Sequence, residues 1–278
     1  MLKKLNLMVL VVFSIVLSGC DKQEDSSGTG MKPKFHNLSP EEQAKAKKEA
    51  DEAGNGPSVL TDSSGTPVVD SSGENVVASS DLEKNVKNRP DGGFEIEGIP
   101  EYRQSRPDPL DNNRTPRYSG AYCGVVSLQM VMEYHGKKVK QDDLAFTSAE
   151  TGDRVSIGPG DRGQMYVAGD GTWHNRAPGV AKSFGLKGSK QNNYSNKSSG
   201  MSELKELIKK GRPQIVNIEG DIDYVNGPDR HTNGHVIVLK GFTGSGDVIV
   251  NDPAAGSQVM TKESFMKIWR PNSVDVAV

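Results

Sequence analysis

The composition of this chain breaks near Gly92, and the break decides where a core can form. From Asp21 to about Asp91 the residues are polar and rich in Gly, Ser and Asp, with almost no aromatics and no sustained apolar period. Such a stretch cannot bury enough surface to offset its ordering entropy, so it is expected to be a disordered tether. Within it, Ser39-Pro40-Glu41-Glu42 carries the cap, early proline and acids of one short helix. From Gly92 to Val278 the mixture is that of a single globular domain, long enough for one core. Net charge is −2 over 278 residues and no basic stripe is present, which argues against nucleic acid as a partner.

The N-terminus points to an exported protein. Lys3 and Lys4 precede an almost wholly apolar Leu5 to Leu17, short for a membrane span and suited to a signal h-region. The segment ends in Leu17-Ser18-Gly19-Cys20, which resembles a bacterial lipobox. That resemblance implies a signal peptide over 1–19, lipidation of Cys20 and a tether over 20–91 ahead of the domain at 92–278. Asp21 resembles an inner-membrane retention signal, so in a Gram-negative cell the protein would face the periplasm. As a coil, the tether would hold the domain roughly 45 Å from the bilayer.

Hydrophobic periodicity gives a coarse outline of the domain. Ala121 to His135 reads as a helix with Val126, Met130, Val131 and Tyr134 on its core-facing stripe, and Gln141 to Phe146 as a second. Thr151 to Gly171 reads as an irregular loop whose acids lack the spacing of a calcium site, so no metal or cofactor is expected. Asn175 to Phe184 and Ser202 to Lys210 suggest further helices. Three strands are expected over Gln214 to Ile218, His235 to Phe242 and Asp247 to Asn251, the last two joined by a turn centred on Gly244 and Ser245. Helices first and an antiparallel sheet after make the domain α+β.

With Cys20 assigned to lipid, Cys123 is the one other cysteine of the chain. Cysteine in an oxidising compartment invites oxidation, so its presence asks for a reason. Tyr122-Cys123-Gly124-Val125-Val126-Ser127 would place the sulfur at a helix N-terminus, where backbone N–H groups and the dipole favour thiolate. Gly124 would leave space beside it for a substrate carbonyl. Far downstream, His235 in Gly234-His235-Val236-Ile237-Val238 supplies a base and Asn251-Asp252-Pro253 an acceptor to orient it. With the turn at Gly244 and Ser245, Ile237 opposes Asp252, so Asp252 shares a sheet face with His235; a slip of one residue would favour Asn251 instead. His231 is a rival base in a loop-like tract. His174 suits a substrate contact or a surface cap, His135 an exposed helix end, and His36 falls in the tether.

These residues, in this order, resemble the peptidase C39-like proteins of the papain-like superfamily. The resemblance runs from about Ile99 to Trp269 through Cys123 to Gly136, Gly211 to Val216, and Gly234 to Pro253. It implies a papain-like fold and thiol-dependent hydrolysis of an amide; a monomer acting on a peptide or cell-wall peptide substrate is expected. It also implies a Gln ahead of the cysteine as oxyanion donor, for which Ile99-Pro100-Glu101-Tyr102-Arg103-Gln104 offers Gln104; the position at papain's own spacing is Arg117. Three functions share these motifs: an envelope cysteine peptidase, a peptidoglycan amidase or endopeptidase acting on cell-wall peptides, and a catalytically silent peptide-binding lipoprotein.

Overall fold

A computed structural model of the protein describes residues 82–156 and 160–278. The signal-like segment, Cys20, the short Ser39 helix and the tether through residue 81 lie outside the described residues. The sheet begins with β1 (Val86–Asn88), which forms a hairpin with β2 (Phe94–Ile96). The folded region therefore reaches back past Gly92, where the sequence places its start. Gly92, at φ +83°, is a turn residue inside this hairpin rather than a hinge ahead of the domain.

Next come α1 (Cys123–Tyr134), α2 (Gln141–Ala145), the small hairpin of β3 (Tyr166–Val167) and β4 (Gly171–Thr172), and α3 (Ala177–Ser183). They are followed by β5 (Lys190–Asn193), α4 (Lys197–Lys209), β6 (Gln214–Ile222), β7 (Arg230–Phe242) and β8 (Val248–Asp252). The chain closes with β9 (Gly256–Met260), α5 (Lys262–Ile268) and β10 (Trp269–Asp275). The main sheet is antiparallel in the order β1-β2-β7-β6-β10-β5, with β8 and β9 branching from β7. This is the expected α+β architecture.

Its centre explains the unbroken apolar runs of β6 and β7. Ile215, Val236 and Val238 pack with α1, α2 and α3, while Val216, Ile237 and Leu239 pack with α4 and α5. Both faces of these strands are thus covered, and the polar alternation of a one-sided sheet is absent. The α4 helix starts five residues before Ser202, because the Asn196 side chain caps it by accepting from Ser199 N at 2.9 Å. The expected stripe on α1 is wider than the sequence suggests. Every residue from Cys123 to Met132 is buried, with β7 beneath the helix and α2, α3 and the β3–β4 hairpin around it. The β3–β4 hairpin lies in the tract expected to be a loop, and its strands are two residues each. Among the described residues no helix is long and apolar enough to cross a membrane.

Candidate active site

Cys123 is the first residue of α1, separated only by Tyr122 from a 3-10 turn over Ser119–Ala121. No side chain caps this end, so the first backbone N–H groups face the region of the sulfur. The Cys123 side chain is buried. One turn along, Ser127 Oγ donates to the carbonyl of Val236 at 3.2 Å. That bond ties α1, one turn past its start, to the middle of β7 at the residue after His235.

Gly124 does not leave room for a substrate. A Cβ there would lie 2.6 Å from the Thr172 methyl and 3.4 Å from Met165 Cε. The glycine admits β4 instead, and Thr172 Oγ1 donates to the Ala121 carbonyl at 2.5 Å. Its role is close packing that fixes the Cys123 turn.

His235 stands near the middle of β7, just past the polar half that the sequence does not read as strand. Its Nε2 is 2.7 Å from Asp252 Oδ1, and both side chains are fully buried. The same Oδ1 accepts from Ala254 N at 2.7 Å, while Oδ2 takes the Tyr224 hydroxyl and the Arg230 guanidinium. Burial alone would raise the Asp252 carboxyl, but His235, Arg230 and Tyr224 outweigh it and hold the group well below the ordinary carboxylate range. Alternation along β7 sends His235 to the Ile237 side, whereas α1 lies against Val236 and Val238.

The register that joins the pair has two parts. Near the turn, Phe242 pairs with Val248 and Gly241 with Ile249, because the loop is one residue longer than a two-residue turn. Between Gly241 and Leu239 the register shifts, and Val238 then pairs with Asn251. The extra loop residue and the bulge at Lys240 cancel, so Asp252 falls on the His235 face as expected. Asn251 is buried on the other side, donating from Nδ2 to the Pro100 carbonyl at 3.3 Å.

Gln104 is drawn to the same place. Its backbone N–H donates to the Pro253 carbonyl at 2.9 Å, and its Nε2 to the Gly120 carbonyl at 2.9 Å. It thereby links the residue after Asp252 to the turn before Cys123. Arg117 instead stacks over the Tyr118 ring. His231 is exposed and paired with Asp221 at 2.8 Å, and His174 contacts Asn272 Oδ1 at 3.2 Å. His135, expected at the surface, is buried with Tyr134 edge-on beside it. Tyr224 and Arg230 have no local signal in the sequence, since they reach Asp252 from 28 and 22 positions away.

Known proteins resemble this chain in two comparisons and not in a third. Among solved structures, a candidate C39-like peptidase from Bacillus anthracis is 19% identical, over 66% of this chain and 97% of its own, with a TM-score of 0.45. The double glycine motif protease of an AMS/PCAT transporter, solved in complex with the leader peptide, is 20% identical over 65% and 97%, with a TM-score of 0.38. Prointerpain A from Prevotella intermedia is 12% identical over 65% and 71%, also at 0.38. No curated protein matches. The model of the Peptidase_C39 like family matches residues 96–274, a span that holds Gln104, Cys123, His235 and Asp252 and most of the sheet that positions them. The chain therefore belongs to the peptidase C39-like family.

Proposed function

We propose that this protein is a thiol-dependent peptide hydrolase with Cys123 as nucleophile, His235 as base and Asp252 as the acceptor that orients the imidazole. The observation that carries the reading is the buried 2.7 Å His235–Asp252 contact, together with the Ser127–Val236 hydrogen bond that ties the helix of Cys123 to β7 next to His235. With Nε2 held by Asp252, Nδ1 is the nitrogen that takes the thiol proton. The reduced sulfur attacks the substrate carbonyl, and the oxyanion turns toward the Cys123 N–H and the second hydrogen of Gln104 Nε2. His235 returns the proton to the leaving amine, and water then hydrolyses the thioester. A lipid on Cys20 would hold this chemistry at the outer face of the cytoplasmic membrane.

The test is mass spectrometry of linear peptides and cell-wall stem peptides incubated with the reduced protein. Cleavage that disappears in Cys123→Ala and His235→Ala supports the proposal, and the peptide set cleaved assigns the substrate. Absence of cleavage by the wild-type protein, or cleavage retained in Cys123→Ala, overturns it. The anchor is tested separately: Cys20→Ala should release the protein from the membrane fraction.

A further inference from the structure

Asp252 has more partners than an orienting acceptor requires. One oxygen serves His235 and the Ala254 N–H, and the other is taken by Tyr224 and Arg230. These two donors approach from separate elements. Arg230 opens β7, five residues ahead of His235, and pairs with Ile222 of β6. Tyr224 follows β6 and is held against β9 by a bridge to Met260. Tyr224 is buried, and the Arg230 Nε is enclosed with no hydrogen-bond partner among the described residues. The inner end of the guanidinium is thus committed to Asp252.

We propose that Arg230 and Tyr224 are positioning residues of the site: they lock the Asp252 carboxylate onto His235 and temper its pull on the imidazole. This rests on the Cys123–His235–Asp252 reading above. A carboxylate buried with an imidazole alone would hold the imidazolium strongly, because no solvent screens it. A full positive charge and a hydroxyl on its other oxygen withdraw part of that attraction.

Other charges near the pair are few. The Glu101–Arg103 pair packs against Gly256, the residue opposite Asp252 on β9. On its outer side Arg230 lines a surface cavity of about 480 Å³ with Asp221, Asp223, Asp229 and Lys267. Asp221 is already paired with His231.

Iodoacetamide alkylation of Cys123 in the reduced protein, followed against pH, tests this without a known substrate. The midpoint of the profile reports how firmly His235 holds its proton beside the sulfur, because imidazolium stabilises thiolate. Tyr224→Phe and Arg230→Met should move the midpoint down by about half a pH unit. Arg230→Lys should restore it, and Asp252→Asn should move it up. A role confined to folding would lower melting temperature and leave the midpoint in place, and that result overturns the proposal. Should Arg230→Met fail to fold, Tyr224→Phe decides the matter alone. Wild-type alkylation no faster than that of cysteine in solution would sink the triad reading together with this one. Fast wild-type alkylation with unmoved midpoints would sink only this one.

Discussion

Asp252 Oδ1 lies 2.7 Å from His235 Nε2, while its neighbour Asn251 points to the opposite side and bonds the Pro100 carbonyl. The two acceptors therefore separate by experiment. Asp252→Ala should lower kcat on the order of 100-fold, less than loss of Cys123 or His235, because a Cys–His pair keeps some competence without its acceptor. Asn251→Ala should leave kcat within about threefold and cost about 1 kcal/mol of stability through the lost buried hydrogen bond. Steady-state kinetics and denaturant melts of both variants check this; the reverse pattern would reassign the acceptor.

Gln104 ties Gly120 to Pro253 and is also the proposed oxyanion donor. If the second role holds, Gln104→Ala should reduce kcat by about 100-fold with little change in KM, because the interaction strengthens only in the transition state. Gln104→Glu should do worse, since it brings negative charge to the developing oxyanion. A kcat unchanged in both variants would leave Gln104 as a structural tie alone.

The contact of Gly124 with Thr172 makes a packing prediction. Gly124→Ala puts a methyl 2.6 Å from the Thr172 methyl and should destabilise the protein by about 1–3 kcal/mol. Thr172→Ser removes that methyl and keeps the hydroxyl that bonds Ala121, so the double variant should recover most of the loss. A double-mutant cycle by thermal or urea melting measures the coupling, and additive effects would refute it.

His135 makes a contribution to acid lability. Burial, with Arg212 nearby, pushes its folded pKa down to about 4; a backbone contact at Val276, too poor in geometry to count as a hydrogen bond, offsets this only in part. The unfolded chain takes this proton near 6.5. Below that pH the unfolded state binds more protons, so stability falls as pH drops toward 4 and does not change on this account above 6.5. The cost at pH 4 is about 3 kcal/mol. Urea melts from pH 7 to pH 4 should show this slope, and His135→Gln should flatten it.

Much of the site is legible in the chain's local patterns. The helix carrying Cys123 declares itself through periodicity and its glycine stop, and the hairpin carrying His235 and Asp252 through its turn and apolar run. The flanking elements are harder to read. The polar half of β7, Arg230-His231-Thr232-Asn233, resembles a loop because its side chains are polar: His231 and Asn233 are exposed, Arg230 reaches Asp252, and buried Thr232 bonds Gly234 N. β5, β9 and β10 have little apolar alternation of their own, and β5 and β10 find their pairing partners far along the chain.

The sequence by itself determined the α+β class, the helix start at Cys123 and the face shared by His235 and Asp252. These follow from helix and strand periods, which a short stretch of chain contains in full. Even the shared face was partly a matter of cancellation, since a longer loop and a bulge at Lys240 offset each other. Only the tertiary structure decided that Thr172 fills the space beside Gly124, that His135 is buried, and that Tyr224 and Arg230 occupy the second oxygen of Asp252. Each of these depends on elements meeting across the fold, and no local period records which distant side chain will arrive there.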